Sequence, residues 1–213
     1  MAQLKKHLNR PDFSNFLVHF TSDDIVGIKD KKNPILKKAN LSAIEKIESI
    51  LTEKKIIAST MPWTGSRAVC FTECPWSSLI EHTIKYSPYG IGFSKKFVFA
   101  MNGAPVYYVR ADQFKKQQWN EHLKSFITPF WPKYRPKNRI KFQDCDYTHE
   151  REWRVPHDLP FGYDQIEFII LNSYEDMARF PKELKDAIGR EKFLLMDNYK
   201  MIEKLWPVHN LGL

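Results

Sequence analysis

Apolar residues along the chain gather in short runs separated by Pro, Gly and Lys/Asp breaks, and their period changes from run to run. Residues 15–22 are aromatic and aliphatic and close on a Ser/Asp cluster, so they read as a first strand carrying one histidine, His19. A Lys-rich loop occupies residues 29–38. From Ser42 the period becomes helical: Ile44, Ile47, Ile50 and Leu51 form one stripe, and Ser42 with Glu45 has capping-box spacing. Residues 56–60 read as a short strand, 61–66 as a loop from its Pro and Gly, and 68–72 as a strand stopped by Pro75. Residues 76–86 are predicted helical, with Trp76, Leu79 and Ile80 on one side.

Residues 91–94, 97–101 and 106–110 form a β-rich stretch, the last two joined by Asn102-Gly103, a hairpin signal. Residues 112–126 read as a helix, and the Pro- and Arg/Lys-rich residues 128–141 as an exposed basic loop. Beyond it come a charged strand ending at Pro156, a buried strand at 166–171 and a helix at 174–189 stopped by Gly189. A strand at 193–196 and a helix at 199–205 follow. Strands and helices mix without a regular βαβ beat, which predicts one α+β domain over residues 1–213.

A hydrophobic fraction of 43% with 14% aromatics, over 213 residues, is enough for a core of its own. The net charge of +8 favours polyanionic partners through long-range attraction. No apolar run marks a secretory signal or approaches the roughly 20 residues a bilayer span needs, so a soluble, cytoplasmic protein without a membrane partner is expected. The three cysteines, Cys70, Cys74 and Cys145, are accordingly read as reduced thiols.

The charged strand carries the candidate chemistry. Alternation directs Glu150, Glu152 and Arg154 to one face and Arg151, Trp153 and Val155 to the other. Such a strand is either a solvated edge or a cleft wall whose carboxylates act. His19, with Phe20 and Thr21 beside it, offers an imidazole and backbone amides to a polar heterocycle, although a lone strand histidine is commonly structural. Cys70, Cys74, Cys145 and His149 reach the four ligands of a structural zinc but lack the two-residue knuckle of zinc ribbons. Gly90 and Gly92 lack the full phosphate-cradling pattern and fit a bulge or close strand approach. No Gly-x-Ser-x-Gly elbow is present, which removes that class of hydrolase.

In collinear order, Leu17-Val-His-Phe-Thr-Ser22, Val69-Cys-Phe-Thr-Glu-Cys-Pro-Trp-Ser-Ser78, Tyr89-Gly-Ile-Gly-Phe-Ser-Lys95, Pro105-Val-Tyr-Tyr-Val109 and Glu150-Arg-Glu-Trp-Arg-Val-Pro156 resemble the AbiGi-like abortive-infection phage-resistance proteins. The layout is similar, more distantly, to the ADP-ribosyltransferase fold, which implies split, mostly antiparallel β-sheets with flanking helices. That likeness implies NAD as substrate, seated by His19, Phe20 and Thr21, with Thr72, Ser77 and Tyr86 as competing candidates for the middle motif. It places Glu152 beside the nicotinamide ribose as an electrostatic stabiliser, Glu150 toward an acceptor as general base, and Arg154 as a phosphate or carboxylate partner. Toxin–antitoxin pairs contain a neutralising member as well as a toxic one, so a non-enzymatic antitoxin or sensor with a cognate defence-system protein is the alternative. The basic, aromatic residues 130–139 are the candidate contact for a nucleic-acid acceptor.

Overall fold

Leu17 and Val18 are adjacent in sequence and both buried, so the first strand has apolar packing on both of its faces. The computed structural model describes residues 14–23, 40–73, 87–131, 146 and 148–205. Among these the strands are β1 (Phe16–Phe20), β2 (Lys55–Ile56), β3 (Ser59–Thr60), β4 (Arg67–Thr72), β5 (Gly90–Ser94) and β6 (Ala104–Pro105). They continue with β7 (Tyr107–Arg110), β8 (Ile127–Phe130), β9 (Glu152–Val155), β10 (Leu159–Pro160), β11 (Ile166–Leu171) and β12 (Phe193–Leu195). The helices are α1 (Ala43–Glu53), α2 (Lys95–Ala100), α3 (Ala111–Phe114), α4 (Glu121–Lys124), α5 (Tyr174–Arg179), α6 (Lys182–Ile188) and α7 (Met196–Leu205).

An eight-stranded sheet runs in the order β12-β11-β5-β1-β4-β9-β6, with β3 on β4. All its pairings are antiparallel except β11 with β12, so the class is α+β with mostly antiparallel sheets. Two two-stranded sheets, β10-β2 and the parallel β7-β8, complete the pairing among the described residues. The main core joins Leu17, Phe71, Phe93 and Ile169 of the sheet to Ile47 and Leu51 of α1. A smaller cluster holds Val18, Ile170 and Met196. Burial on both faces at Ile169, Ile170 and Leu171 is why β11 ends in an aliphatic run.

Helix α1 starts where its capping box predicts: the Ser42 hydroxyl accepts from Glu45 N, and the Glu45 carboxylate accepts from Ser42 N. Gly92 serves close approach, since a Cβ there would lie 2.5 Å from the Phe168 ring.

Five expectations are corrected. The strand expected at 97–101 is helical, because the Ser94 hydroxyl accepts from Phe97 N and starts α2. Asn102-Gly103 ends that helix instead of turning a hairpin: Asn102 is left-handed at φ 61°, and Gly103 N donates to Val98 O. The helix expected at 112–126 divides into α3 and α4, since the Asn120 side chain accepts from His122 N and starts a new helix. Pro181 divides residues 174–189 into α5 and α6, and the buried Lys185 ammonium donates to Met177 O, tying the two together at 2.7 Å. The expected basic loop begins as strand, since Ile127–Phe130 pairs in parallel with β7. The loop at 29–38, the helix at 76–86 and residues 132–141 lie outside the described residues.

Candidate functional site

Strand β9 begins two residues later than its charge alternation implies. Thr148–Glu150 is a single 3-10 turn, and Arg151 at φ 45° redirects the chain into the strand. Glu150 therefore approaches the site from a turn, while Glu152 and Arg154 do so from the strand. Register pairs Thr72 with both Val18 and Glu152, and Cys70 with Arg154, so these side chains share one face. Trp153 and Val155 take the other face, opposite Phe71 and Val69.

A cavity of about 420 Å³ opens over this face. Its polar wall is Thr72, Thr128, Glu150, Glu152 and Arg154. Its apolar wall includes Phe20, Phe71, Met61 and Trp63, and exposed Trp63 stands at the solvent side.

Arg154 is 4% exposed and Glu152 9%. The guanidinium meets the carboxylate in a two-point fork, Nε to Oε1 at 2.7 Å and Nη2 to Oε2 at 2.8 Å. Nη1 donates to Ser125 O at 3.1 Å and Ile127 O at 3.2 Å, and Nη2 also donates to Thr128 Oγ1 at 2.6 Å. An arginine has five N–H donors, and all are used within the fold. The pair joins β9 to the start of the β7-β8 sheet. Tyr108 supports it from β7, its hydroxyl oxygen 3.5 Å from Glu152 N, and burial raises that phenol to about 12.

His19 lies across from Cys70, its Nδ1 2.9 Å from the Cys70 carbonyl oxygen, with the ring edge-on to Phe71. Burial lowers its pKa below the ordinary 6.5, the carbonyl contact opposing. A carbonyl only accepts, so Nδ1 carries the proton in the neutral ring and Nε2 presents a lone pair. Because the unfolded chain binds the proton more readily, this histidine's contribution is complete above about pH 6.5 and is lost as pH falls below it. Melting temperatures followed from about pH 7 to about pH 5 should therefore fall more steeply for the wild type than for His19→Gln; equal slopes would remove His19 as the source. Burial, with the Glu152 charge adding, pushes the Cys70 thiol well up, so it stays protonated beside the Met61 sulfur at 3.9 Å.

The structure thus brings His19, Phe20, Thr72, Glu150, Glu152 and Arg154 to one cavity. By register, however, the His19 and Glu152 side chains lie on opposite faces of the sheet, since His19 follows Val18, which shares the Thr72–Glu152 row, and the His19 ring packs against Phe71. Thr21 turns elsewhere, its hydroxyl donating to Ala43 O at 2.8 Å at the start of α1. Ser77 and Tyr86, Cys74, Cys145 and the His149 side chain lie outside the described residues. Among the described residues no group of three or more His, Cys, Asp or Glu is placed to hold a metal ion. Sequence reasoning missed Thr128, hidden in a segment read as basic loop, and the Met61, Pro62 and Trp63 wall, read only as a turn.

A family model described as "Putative abortive phage resistance protein AbiGi, antitoxin" matches residues 37–143, half of the chain. The match takes in α1, the Trp63 turn, Thr72 and Thr128 and ends before Glu150. No curated protein and no solved structure matches, and nothing in these comparisons supports the likeness to ADP-ribosyltransferases. Among the described residues no helix is long and apolar enough to cross a membrane. With half of its length matched, the chain belongs to the AbiGi family of abortive-infection phage-resistance proteins.

Proposed function

We propose that the chain is the neutralising, non-enzymatic member of an abortive-infection pair and works by binding a cognate defence protein. The family description names an antitoxin and supports this reading. The observation that carries it is the saturated fork. A carboxylate that lowers the barrier to glycosidic cleavage must present its charge to the positive ribose. Glu152 instead has both oxygens bonded to a guanidinium, which balances its charge. Arg154 likewise has no donor left for a pyrophosphate. The arrangement is that of a buried structural pair.

The test has two arms. Co-expression of the chain with the defence protein encoded beside it should relieve the growth arrest that protein causes alone, and the two should co-elute as a complex. Purified chain incubated with NAD should release no nicotinamide. Release that disappears in Glu152→Gln would replace the antitoxin reading with the enzymatic one.

A further inference from the structure

The geometry points to a second property: the cavity between Trp63, Thr72 and Glu152 binds a neutral planar heterocycle of the nucleobase or nucleoside class. This goes beyond the antitoxin reading and does not depend on it.

Thr72 is the starting point. It is 7% exposed, it lines the cavity, and its hydroxyl has no hydrogen-bond partner among the described residues. Buried hydroxyls in folded proteins are nearly always bonded, so this one calls for a ligand or water inside the cavity. Thr128, 2% exposed, accepts from Arg154, which leaves its own hydrogen to be donated. Glu152 uses one lone pair on each oxygen for Arg154, and a carboxylate has about four such sites in all. Cross-strand register sets Thr72 and Glu152 side by side. Cross-strand neighbours stand roughly 5 Å apart at Cβ, so a donor and an acceptor are presented as an adjacent pair.

That pattern selects among ligands. An anion finds no unused cationic donor on Arg154. A simple ammonium would leave the threonine hydroxyl hydrogens without acceptors. A neutral ring with adjacent donor and acceptor groups on one edge satisfies both. Its faces match Phe20 and Trp63, and about 420 Å³ lies within the range of small-molecule sites, about 300–1,000 Å³.

Calorimetric titration of the full chain with adenosine, guanosine, cytidine and uridine tests this. At least one should bind, and its 5′-monophosphate should bind at least about tenfold more weakly, because Arg154 has no donor left for the phosphate and the dianion must be desolvated without one. Thr72→Val should weaken nucleoside binding about tenfold, the worth of a neutral hydrogen bond, and Thr72→Ser should restore it. Thr72→Val should melt no lower than wild type without ligand, since it removes an unsatisfied hydroxyl. Trp63→Ala, at an exposed position, supplies a second variant expected to lose affinity. Absence of binding by all four nucleosides up to ~1 mM would mean the cavity holds only water and would overturn the proposal. Unchanged affinity in Thr72→Val would overturn it equally. Neither result touches the co-expression readout, so failure here and failure of the antitoxin reading are distinguishable.

Discussion

Arg154→Ala should lower unfolding free energy by about 3–5 kcal/mol, the cost of leaving one member of a buried ion pair without the other. Against a total stability of about 5–15 kcal/mol for an ordinary domain, that is a large fraction. The substitution strips Glu152 of both its bonds and removes the donors that meet Ser125 O, Ile127 O and Thr128 Oγ1. Because those acceptors lie at the start of the β7-β8 sheet, the damage should centre on the join between that sheet and β9. Arg154→Lys should recover only part of the loss, since one ammonium cannot reproduce a planar fork. The double variant Glu152→Leu with Arg154→Met should recover more, because no unpaired charge stays buried. Urea unfolding with an unchanged m-value gives the measure. A loss below about 1 kcal/mol for Arg154→Ala would mean that the pair behaves as a solvated surface bridge and has no structural role.

The pair also shows how far residue patterns reach. The spacing of Glu152 and Arg154 announces a shared face, and register confirms one. Spacing does not say whether two opposite charges two residues apart will turn to a ligand or to each other. Here the nearby carbonyls of Ser125 and Ile127 settle the arginine's geometry, and they come from a segment distant in sequence. That segment was illegible for a second reason. Pro129 reads as a strand breaker, yet β8 pairs with β7 alone in a two-stranded sheet, where a missing N–H is tolerated. Thr128 was hidden with it.

Strands β1, β4, β5 and β11 were legible because burial on both faces leaves continuous apolar runs. Phe97 and Val98 misled because aromatic and β-branched residues favour strands, whereas the Ser94 cap and the Asn102-Gly103 stop define a helix between them. Local punctuation outweighed propensity. The same Asn-Gly conformational freedom that suits a hairpin serves equally at a helix end. The turn at Trp63 was visible as a turn, but nothing local connects it to Thr72 and Glu152; β4 carries that connection.

Phe71→Ala couples the core to the cavity and should have the second large effect, about 3–5 kcal/mol. The ring is 1% exposed and stands edge-on to Phe93 at 6.1 Å and to His19 at 5.9 Å, and the residue borders the cavity. Edge-to-face aromatic contacts add about 0.5–1.5 kcal/mol each beyond buried area, so the loss should exceed that of an aliphatic neighbour such as Val69. The space left behind joins a cavity that already opens to solvent, so water should enter instead of leaving a dry void. Hydration of the imidazole removes the cause that holds His19 below 6.5, and its pKa should rise toward that value. The acid limb of the stability curve should flatten as the difference between folded and unfolded chains shrinks. Phe71→Leu, which keeps much of the volume, should show a smaller loss and a smaller rise. An NMR titration of the His19 ring separates this account from simple destabilisation: a folded Phe71→Ala variant with unchanged His19 titration would show that the aromatic wall does not control the histidine's environment.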